Sequence, residues 1–224
     1  NLGAKVTTER WDRWQMCSLC QQDYHGVVAC ALGWACWKTY VGRLEGSWTR
    51  LSAMAVLGNG LYETGRYEDA LSVFEASLDA ERRFSSPEEN ILSIRIHIAR
   101  CYGKLGRLED AVAIEREVYA REKVLLGPSD DVTLTNGLNL TLSLNQVKQY
   151  VESKALAREL IPTCRRALGP EHDITLGIQE NYAEALYMDP TASRADILQA
   201  VAMLEDVARA NRRILGANHP DTVE

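Results

Sequence analysis

The sequence lacks the long apolar runs and catalytic signatures that mark several large classes of protein. No apolar stretch reaches the roughly 18 residues of a membrane-spanning helix, so we expect no membrane insertion. There is also no glycine-rich phosphate loop, no nucleophile elbow and no HExxH motif. The sequence therefore predicts a protein that is not an enzyme.

Positive charge is scarce as well. The chain has 25 Lys and Arg residues against 31 Asp and Glu, which gives a net charge of −6. Binding to nucleic acid or to an anionic membrane needs a basic surface. The charge balance therefore argues against both, and we expect a protein or peptide partner instead.

The six cysteines do not resemble the framework of a secreted disulfide-rich domain. Four lie between residues 17 and 36, whereas Cys101 and Cys164 are isolated within helical patterns. We therefore expect a reducing intracellular compartment, with the cytoplasm favoured. An organelle stays open because Asn1 is not an initiator methionine, so a targeting peptide would be lost from view.

What the sequence does contain is a repeated motif. LGPSDDVTL begins at residue 126, LGPEHDITL 42 residues later and LGANHPDTV a further 47 residues on. In each copy, Leu ends an apolar helical stripe, Gly can adopt the left-handed conformation, and Pro prevents continuation of the helix. An Asp can then start the next helix, at Asp131, Asp173 or Asp221. Repetition at this interval is typical of a solenoid built from helical hairpins.

A degenerate copy of the motif, FSSPEENIL, begins at Phe84, with Ser86 as the predicted helix cap and Pro87 as the first helical residue. Within the helix pairs, Gly65 corresponds to Gly106 and Ala70 to Ala111. The chain thus resembles the tetratricopeptide-repeat (TPR) proteins of the kinesin-light-chain type, whose units run about 42 residues and end in an LG-x-x-HPD turn. Algal TPR proteins with a CxxC segment before the repeats are also similar. The resemblance is carried by Leu168, Gly169, His172, Asp173, Leu215, Gly216, His219, Pro220 and Asp221.

These patterns predict an all-α fold, a right-handed α-solenoid of about four TPR helix pairs behind an N-terminal helical cap. The Trp/Cys-rich cap is residues 1–47, and the array is residues 48–224. The predicted repeats are 48–85, 90–127, 132–169 and 174–216, with the start of another helix at 221–224 and more repeats expected beyond it. In the later repeats Lys148 replaces the turn glycine, Pro162 should kink its helix, and extra residues at 188–193 predict a longer loop.

The cap contains four of the five tryptophans, and the fifth is Trp48. Thr7 or Thr8 can cap a short helix in which Trp11 and Trp14 share one face. Residues 27–40 predict a second helix that is apolar nearly all round, so most of its surface should be covered. We interpret the tryptophans as packing residues, with an aromatic ligand cage as the alternative.

The cap also contains a candidate zinc site. Cys17, Cys20, His25 and Cys30 have the C-x2-C-x4-H-x4-C spacing of the zinc knuckle, and Cys36 is a substitute fourth ligand. The knuckle's nucleic-acid role does not carry over, because the segment between Arg13 and Lys38 has no basic residue. Buried thiols in a Trp-rich cap are the alternative. A redox role of the CxxC pair is less favoured, since no βαβ pattern surrounds it.

A candidate peptide groove follows from the repeat register. The 42-residue period places His97, Asn139 and Asn181 at equivalent positions, and we call these three residues the ladder. Arg100 and Glu184 lie one turn further on. In the family that the chain resembles, the first (A) helices of the pairs line the concave surface, and groove asparagines hold the backbone of an extended peptide. Hydrogen bonds within the array, without any ligand, are the alternative. Asn59 extends the ladder into the first pair, although its alignment is off by one turn.

The sequence therefore supports three functional hypotheses. The first is a scaffold that binds an extended peptide in the concave groove. The second is a structural subunit held in a larger assembly by its outer faces and cap, and the third is a zinc-dependent adaptor that acts through the cap. His172 and His219 recur at one turn position, so we assign them to capping or turn packing and not to catalysis.

Overall fold

The computed structural model describes residues 11–215. Three predictions lie outside the described residues. They are the helix-capping role of Thr7 or Thr8, the motif residues Gly216, His219, Pro220 and Asp221, and the helix start at 221–224. Between residues 26 and 215 the chain forms nine helices. They are α1 (Gly26–Tyr40), α2 (Trp48–Glu63), α3 (Tyr67–Arg83), α4 (Glu88–Lys104), α5 (Leu108–Leu125), α6 (Asp131–Gln146), α7 (Tyr150–Ala167), α8 (Asp173–Met188) and α9 (Arg194–Leu215).

The described part of the chain is all α. Its only β pairing between residues 11 and 215 is a single antiparallel bridge between Met16 and Asp23. The chain divides into two compact units, one ending at Arg107 and the other beginning at Leu108. The first unit contains α1 to α4 and the second contains α5 to α9. No helix of the described residues is long and apolar enough to cross a membrane.

In the first unit, α1 packs directly on α2. The backbones approach so closely that a Cβ on Gly33 would lie 3.0 Å from the Leu57 Cα, and one on Gly60 would lie 2.7 Å from the Ala29 carbonyl oxygen. Only glycine fits at such crossings. The two glycines therefore fix the cap helix on the first A helix.

The tryptophans of the cap pack around this helix crossing. Trp11, Trp14 and Trp37 lie against a buried cluster that includes Cys36 and Val56. This arrangement agrees with the packing interpretation of Trp11, Trp14 and Trp37, whereas Trp34 and Trp48 are 39% and 55% exposed.

Short turns join the helices of three pairs, at residues 64–66, 105–107 and 147–149. The central residues Gly65, Gly106 and Lys148 have φ angles of 75°, 77° and 62°. The three positions therefore share one left-handed conformation, as the sequence correspondence indicates. Lys148 adopts it at a cost, because a side chain disfavours positive φ.

The fourth pair has the longer loop that the sequence predicts, at residues 189–193. Asp189 organises it by accepting hydrogen bonds from the Thr191 amide at 2.9 Å and the Thr191 hydroxyl at 2.7 Å. Its other carboxylate oxygen lies 2.6 Å from the Lys154 ammonium of α7. These contacts lower the pKa of Asp189 to about 2, with the Lys154 bond as the main cause.

In the second unit, each helix packs on its sequence neighbours, and α6 also contacts α8. The core contains Leu134, Leu144, Leu160 and Ile178, all buried. Ion pairs link the outer helices α5 and α7, between Arg116 and Glu152 at 2.8 Å and between Lys123 and Glu159. Consecutive hairpins of this unit are therefore stacked in register.

The starts of three A helices test the motif in detail. α6 and α8 begin at Asp131 and Asp173 as predicted, but the N-cap of each helix is the residue before the aspartate that was expected to cap it. Asp130 caps α6 by accepting from the Val132 amide, and His172 caps α8 by accepting from the Ile174 amide. The prediction of Ser86 as the cap of α4 was wrong, because Pro87 takes that position and the helix begins one residue later.

Candidate functional site

A cavity of about 240 Å³ lies in the first unit between the cap, α2 and α4. We call it the N-terminal cavity. The cap contributes Trp14, Tyr24 and His25, α2 contributes Asn59, Tyr62 and Glu63, and α4 contributes His97 and Arg100. Two predicted groove residues and Asn59 therefore lie at one site.

His97 forms part of the cavity wall and is held by α3. Its ring stacks on Phe74, with ring centroids 4.9 Å apart and an interplanar angle of 9°. Burial, with a smaller contribution from the Arg100 charge, lowers the pKa of His97 to about 4. The imidazole is therefore neutral at pH 7 and offers a ligand one N–H donor at most.

Arg100 supplies the positive charge of the cavity. Its guanidinium lies over the Tyr62 ring, 4.5 Å from the centroid, and one N–H group points to His97 Nδ1 at 3.5 Å. Among residues 11–215 no carboxylate lies within ion-pair distance of it. Trp14 also lines the cavity, and its indole N–H is buried with no acceptor among residues 11–215. Arg100 is thus the charged donor that the cavity offers to an acidic or carbonyl group.

The second unit has a shallower hollow of about 470 Å³ between α8 and α9, here called the C-terminal hollow. Its wall includes Asn181, Glu184 and Tyr187 from α8, with Leu204 and Asn211 from α9. Here too, two predicted groove residues lie side by side.

Hydrogen bonds within the array already occupy part of the polar groups of Asn181 and Glu184, the two groove residues of the C-terminal hollow. Asn181 donates to the Thr141 hydroxyl at 2.9 Å and to the Leu138 carbonyl at 3.3 Å. Asn145 donates to the Asn181 carbonyl at 2.8 Å and to Glu184 Oε2 at 2.9 Å. The amides therefore tie α6 to α8, and a ligand would meet a wall whose side chains are already oriented.

Asn139 of α6 differs from Asn181 in this respect. It is half-buried, and no hydrogen bond to its side-chain amide occurs in the described part of the chain. Its donor and acceptor are therefore both available. Of the three members of the predicted ladder, Asn139 is the one whose side chain makes no hydrogen bond in the described part of the chain.

Sequence reasoning missed two groups of residues that shape these sites. Thr141 and Asn145 orient Asn181 and Glu184, although Asn145 lies on the same helix as Asn139 and six residues further on. Trp14 and Tyr24 line the N-terminal cavity, but nothing in their spacing indicates α4 as a neighbour.

The four residues of the candidate zinc site are not brought together. In residues 11–215 no three His, Cys, Asp or Glu side chains are placed to hold a metal ion. His25 lies instead with its Nδ1 3.7 Å from Glu63 Oε2. Cys30 lies on α1, and Cys36 is fully buried, which raises the pKa of its thiol to about 12. This arrangement does not fit a four-coordinate zinc ion, and the zinc site stays a prediction from spacing.

Cys17 and Cys20 do lie together. Backbone amides of Cys20 and Leu19, the Cys20 thiol and the Tyr24 hydroxyl all hydrogen-bond to the Cys17 sulfur. These donors hold the pKa of the Cys17 thiol below its ordinary value, the Cys20 amide contributing most.

Comparison with known proteins agrees with the helical architecture. Family models described as tetratricopeptide repeat match residues 49–122, 138–173 and 192–221. A search of curated proteins finds no match.

Solved structures with a similar fold include kinesin-light-chain-like proteins. Two are crystal structures of a Podosopora anserina protein described as a kinesin light chain with nearly identical TPR-like repeats, one of them carrying a point substitution. The substituted form is 20% identical with a TM-score of 0.66, and the match covers 84% of this chain and 85% of that one. The other is 19% identical with the same TM-score, over 83% and 85%. BtubC (BKLC) from P. vanneervenii is 15% identical with a TM-score of 0.64, over 88% of this chain and 73% of its own.

The predicted fold class, an all-α array of TPR helix pairs, is therefore confirmed, and the solved structures with a similar fold include kinesin-light-chain-like proteins. The chain belongs to the tetratricopeptide-repeat family, whose helix pairs serve as scaffolds for protein–protein interaction.

Proposed function

We propose that the chain is a non-catalytic scaffold that binds an extended peptide or partner segment along its A helices. One observation carries this proposal. Each unit has a depression, and the same two repeat positions contribute to both, as His97 and Arg100 in the first unit and as Asn181 and Glu184 in the second. The two sets lie two 42-residue periods apart in the sequence.

The chemistry of these positions suits a peptide backbone. Side-chain amides such as those of Asn59 and Asn139 can donate to a carbonyl and accept from an amide of the same strand-like ligand. Such contacts do not depend on ligand sequence. Arg100 and Glu184 then add charge selection, Arg100 for an acidic residue and Glu184 for a basic one.

The proposal includes no catalytic residue. His172, the histidine of the repeated turn, caps α8, with its Nδ1 accepting from the Ile174 amide at 3.3 Å. The lowered pKa of His97 has a structural cause, because the ring is buried where it stacks on Phe74.

Peptide display followed by calorimetry tests the groove. A library of random 12-residue peptides is selected against the full chain, and the affinity of the best binder is measured for the wild type and for Asn139→Ala and Arg100→Ala. Each substitution should weaken binding by roughly 1 to 3 kcal/mol, because it removes a hydrogen bond made by a desolvated group. That corresponds to a dissociation constant about 5-fold to 150-fold higher.

Two exposed residues on outer helices provide matched controls. Gln199→Ala on α9 removes an amide, and Arg166→Ala on α7 removes a guanidinium. Both should bind the peptide as the wild type does. Equal weakening by the control substitutions, or unchanged affinity of Asn139→Ala and Arg100→Ala, would remove the ladder from the account.

A second function is favoured by exposed apolar side chains in the cap region. Leu19, Val27 and Leu44 are 93%, 78% and 85% exposed. A structural subunit of a larger assembly would cover them. Native mass spectrometry of the protein purified from its source would then show one partner in fixed stoichiometry. The same surface would serve a zinc-dependent adaptor, and metal analysis of protein purified without chelator tests that variant.

A further inference from the structure

Residues 16–23 form a tight hairpin that carries Cys17 and Cys20 at its tip. Met16 and Asp23 pair across its base. The Cys17 amide donates to the Gln22 carbonyl at 2.8 Å, and the Gln21 amide donates to the Cys17 carbonyl at 2.9 Å. Gln21 has a φ angle of 58°, which closes the turn. The backbone therefore fixes the positions of both cysteines.

Cys17 and Cys20 lie three residues apart in one closed turn of this hairpin. The turn is fixed because the Gln21 amide donates to the Cys17 carbonyl on the far side of Cys20. Cys20 is exposed and Cys17 is half-buried, and neither is in a disulfide. The pair is therefore accessible to a small reagent, and the turn holds both thiols on one short segment of backbone.

No third ligand accompanies the pair. The described residues bring no other His, Cys, Asp or Glu into a metal-binding group with the two thiols. Structural zinc normally takes four protein ligands in a tetrahedron, whereas a disulfide needs two sulfurs only. Three of the other four thiols, those of Cys36, Cys101 and Cys164, are buried, and Cys30 is half-buried on α1. The hairpin geometry thus favours formation of a disulfide between the two thiols.

We propose that Cys17 and Cys20 form a reversible dithiol–disulfide pair that reacts with hydroperoxides. In the first step the Cys17 sulfur attacks a peroxide oxygen. A sulfur–oxygen bond forms, the oxygen–oxygen bond breaks and, with hydrogen peroxide, water leaves, so that Cys17 becomes a sulfenic acid.

In the second step the Cys20 sulfur attacks the Cys17 sulfur. The disulfide bond forms and the sulfenic oxygen leaves as a second water molecule. In total the two thiols lose two protons and two electrons, and the peroxide is reduced. A dithiol reductant restores the thiols by exchange.

The reaction has a consequence for the N-terminal cavity. Tyr24 lines the cavity and donates its hydroxyl hydrogen to the Cys17 sulfur. Oxidation changes that sulfur into a disulfide sulfur, which is a weaker acceptor. The hairpin therefore connects the oxidation state of the thiols to one wall of the cavity, independently of whether a peptide binds along the A helices.

Mass spectrometry of the full chain tests the proposal. The reduced protein is exposed to hydrogen peroxide, denatured, alkylated with N-ethylmaleimide and digested by a protease that cuts before Asp12 and Asp23, which separates Cys17 and Cys20 from Cys30 and Cys36. The peptide containing Cys17 and Cys20 should escape alkylation and be lighter than the reduced, unalkylated peptide by about 2 Da, the mass of two hydrogen atoms. All other cysteines should be alkylated, and dithiothreitol before alkylation should abolish the difference.

Two variants sharpen the experiment. Cys20→Ser removes the second thiol, so Cys17 should instead be trapped as a sulfenic acid by dimedone. Cys101→Ser, at a buried thiol, should behave as the wild type. The proposal is overturned if a folded wild-type protein forms no Cys17–Cys20 disulfide, or if Cys17 pairs with Cys30 instead. It is also overturned if the purified protein carries zinc that must be removed before the thiols react.

Discussion

The crossing of α1 and α2 makes a sharp prediction for the substitution Gly60→Ala. The new Cβ would lie 2.7 Å from the Ala29 carbonyl oxygen and 2.8 Å from the Cys30 Cα. Ordinary contacts between carbon atoms are about 3.5 to 4.0 Å. Because both neighbours are backbone atoms, no change of rotamer relieves the overlap, and α1 has to move away from α2 by about 1 Å.

The size of the effect follows from two opposing contributions. Overpacking of this kind costs about 1 to 3 kcal/mol, and more where backbone has to shift. Replacing a helical glycine by alanine stabilises by up to about 1 kcal/mol. We therefore expect Gly60→Ala to lower the free energy of unfolding by about 2 kcal/mol.

Gly103→Ala is the matched control. Gly103 also lies in an A helix, α4, but a Cβ there would have no heavy atom within 4 Å. Only the gain in helix propensity then applies, so this variant should be as stable as the wild type or slightly more stable. The two alanine substitutions should therefore differ in sign.

Tryptophan fluorescence is a suitable probe, because all five tryptophans lie within the first 48 residues. In urea at 25 °C, Gly60→Ala should lower the midpoint of the fluorescence transition by about 1 M. Far-UV circular dichroism, which detects the helices of both units, should change less. A midpoint for Gly60→Ala equal to or above that of Gly103→Ala would refute the close crossing of α1 and α2.

Four further substitutions probe the second unit. Burial raises the pKa of Glu115 from its ordinary 4.5 to about 7. Above pH 4.5 the folded protein therefore holds a proton that the unfolded chain releases. As a consequence, the free energy of unfolding falls as the pH rises from 4.5 through 7. Glu115→Gln should remove this loss and raise the unfolding free energy at pH 8 by up to about 3 kcal/mol; identical pH profiles would contradict the assignment. Asn136→Ala deprives the buried Glu122 carboxylate of donors at 2.9 and 2.8 Å and should cost about 2 kcal/mol in urea denaturation. Adding Glu122→Ala should cost less than the sum of the two single changes. Lys148→Gly relieves a φ of 62° and should raise the thermal midpoint through a gain of about 1 kcal/mol, whereas a lower midpoint would show no strain there.

The helix boundaries could be predicted because local residues encode them. Gly65 and Gly106 mark left-handed turns whatever surrounds them, and Asp131 and Asp173 begin helices beside their own caps. The error of one residue at Ser86 concerns the end of a helix, where neighbouring residues can exchange the capping position.

The partners that each candidate site residue contacts could not be predicted in the same way. Register placed Asn139 and Asn181 at equivalent positions, but only stacking of α6 on α8 brings Thr141 to the Asn181 amide. Likewise, the spacing of Cys17 and His25 fits a zinc knuckle, whereas the chain path places His25 beside Glu63 of α2. Such contacts depend on residues far apart in sequence.

Hydrogen–deuterium exchange of the full chain, with and without its selected peptide, shows whether a partner binds along the A helices. Binding there should slow exchange in segments from α4, α6 and α8, where the candidate groove residues lie, and leave exchange in α3, α5 and α7 unchanged. Protection confined to the outer helices or to α1 would contradict it.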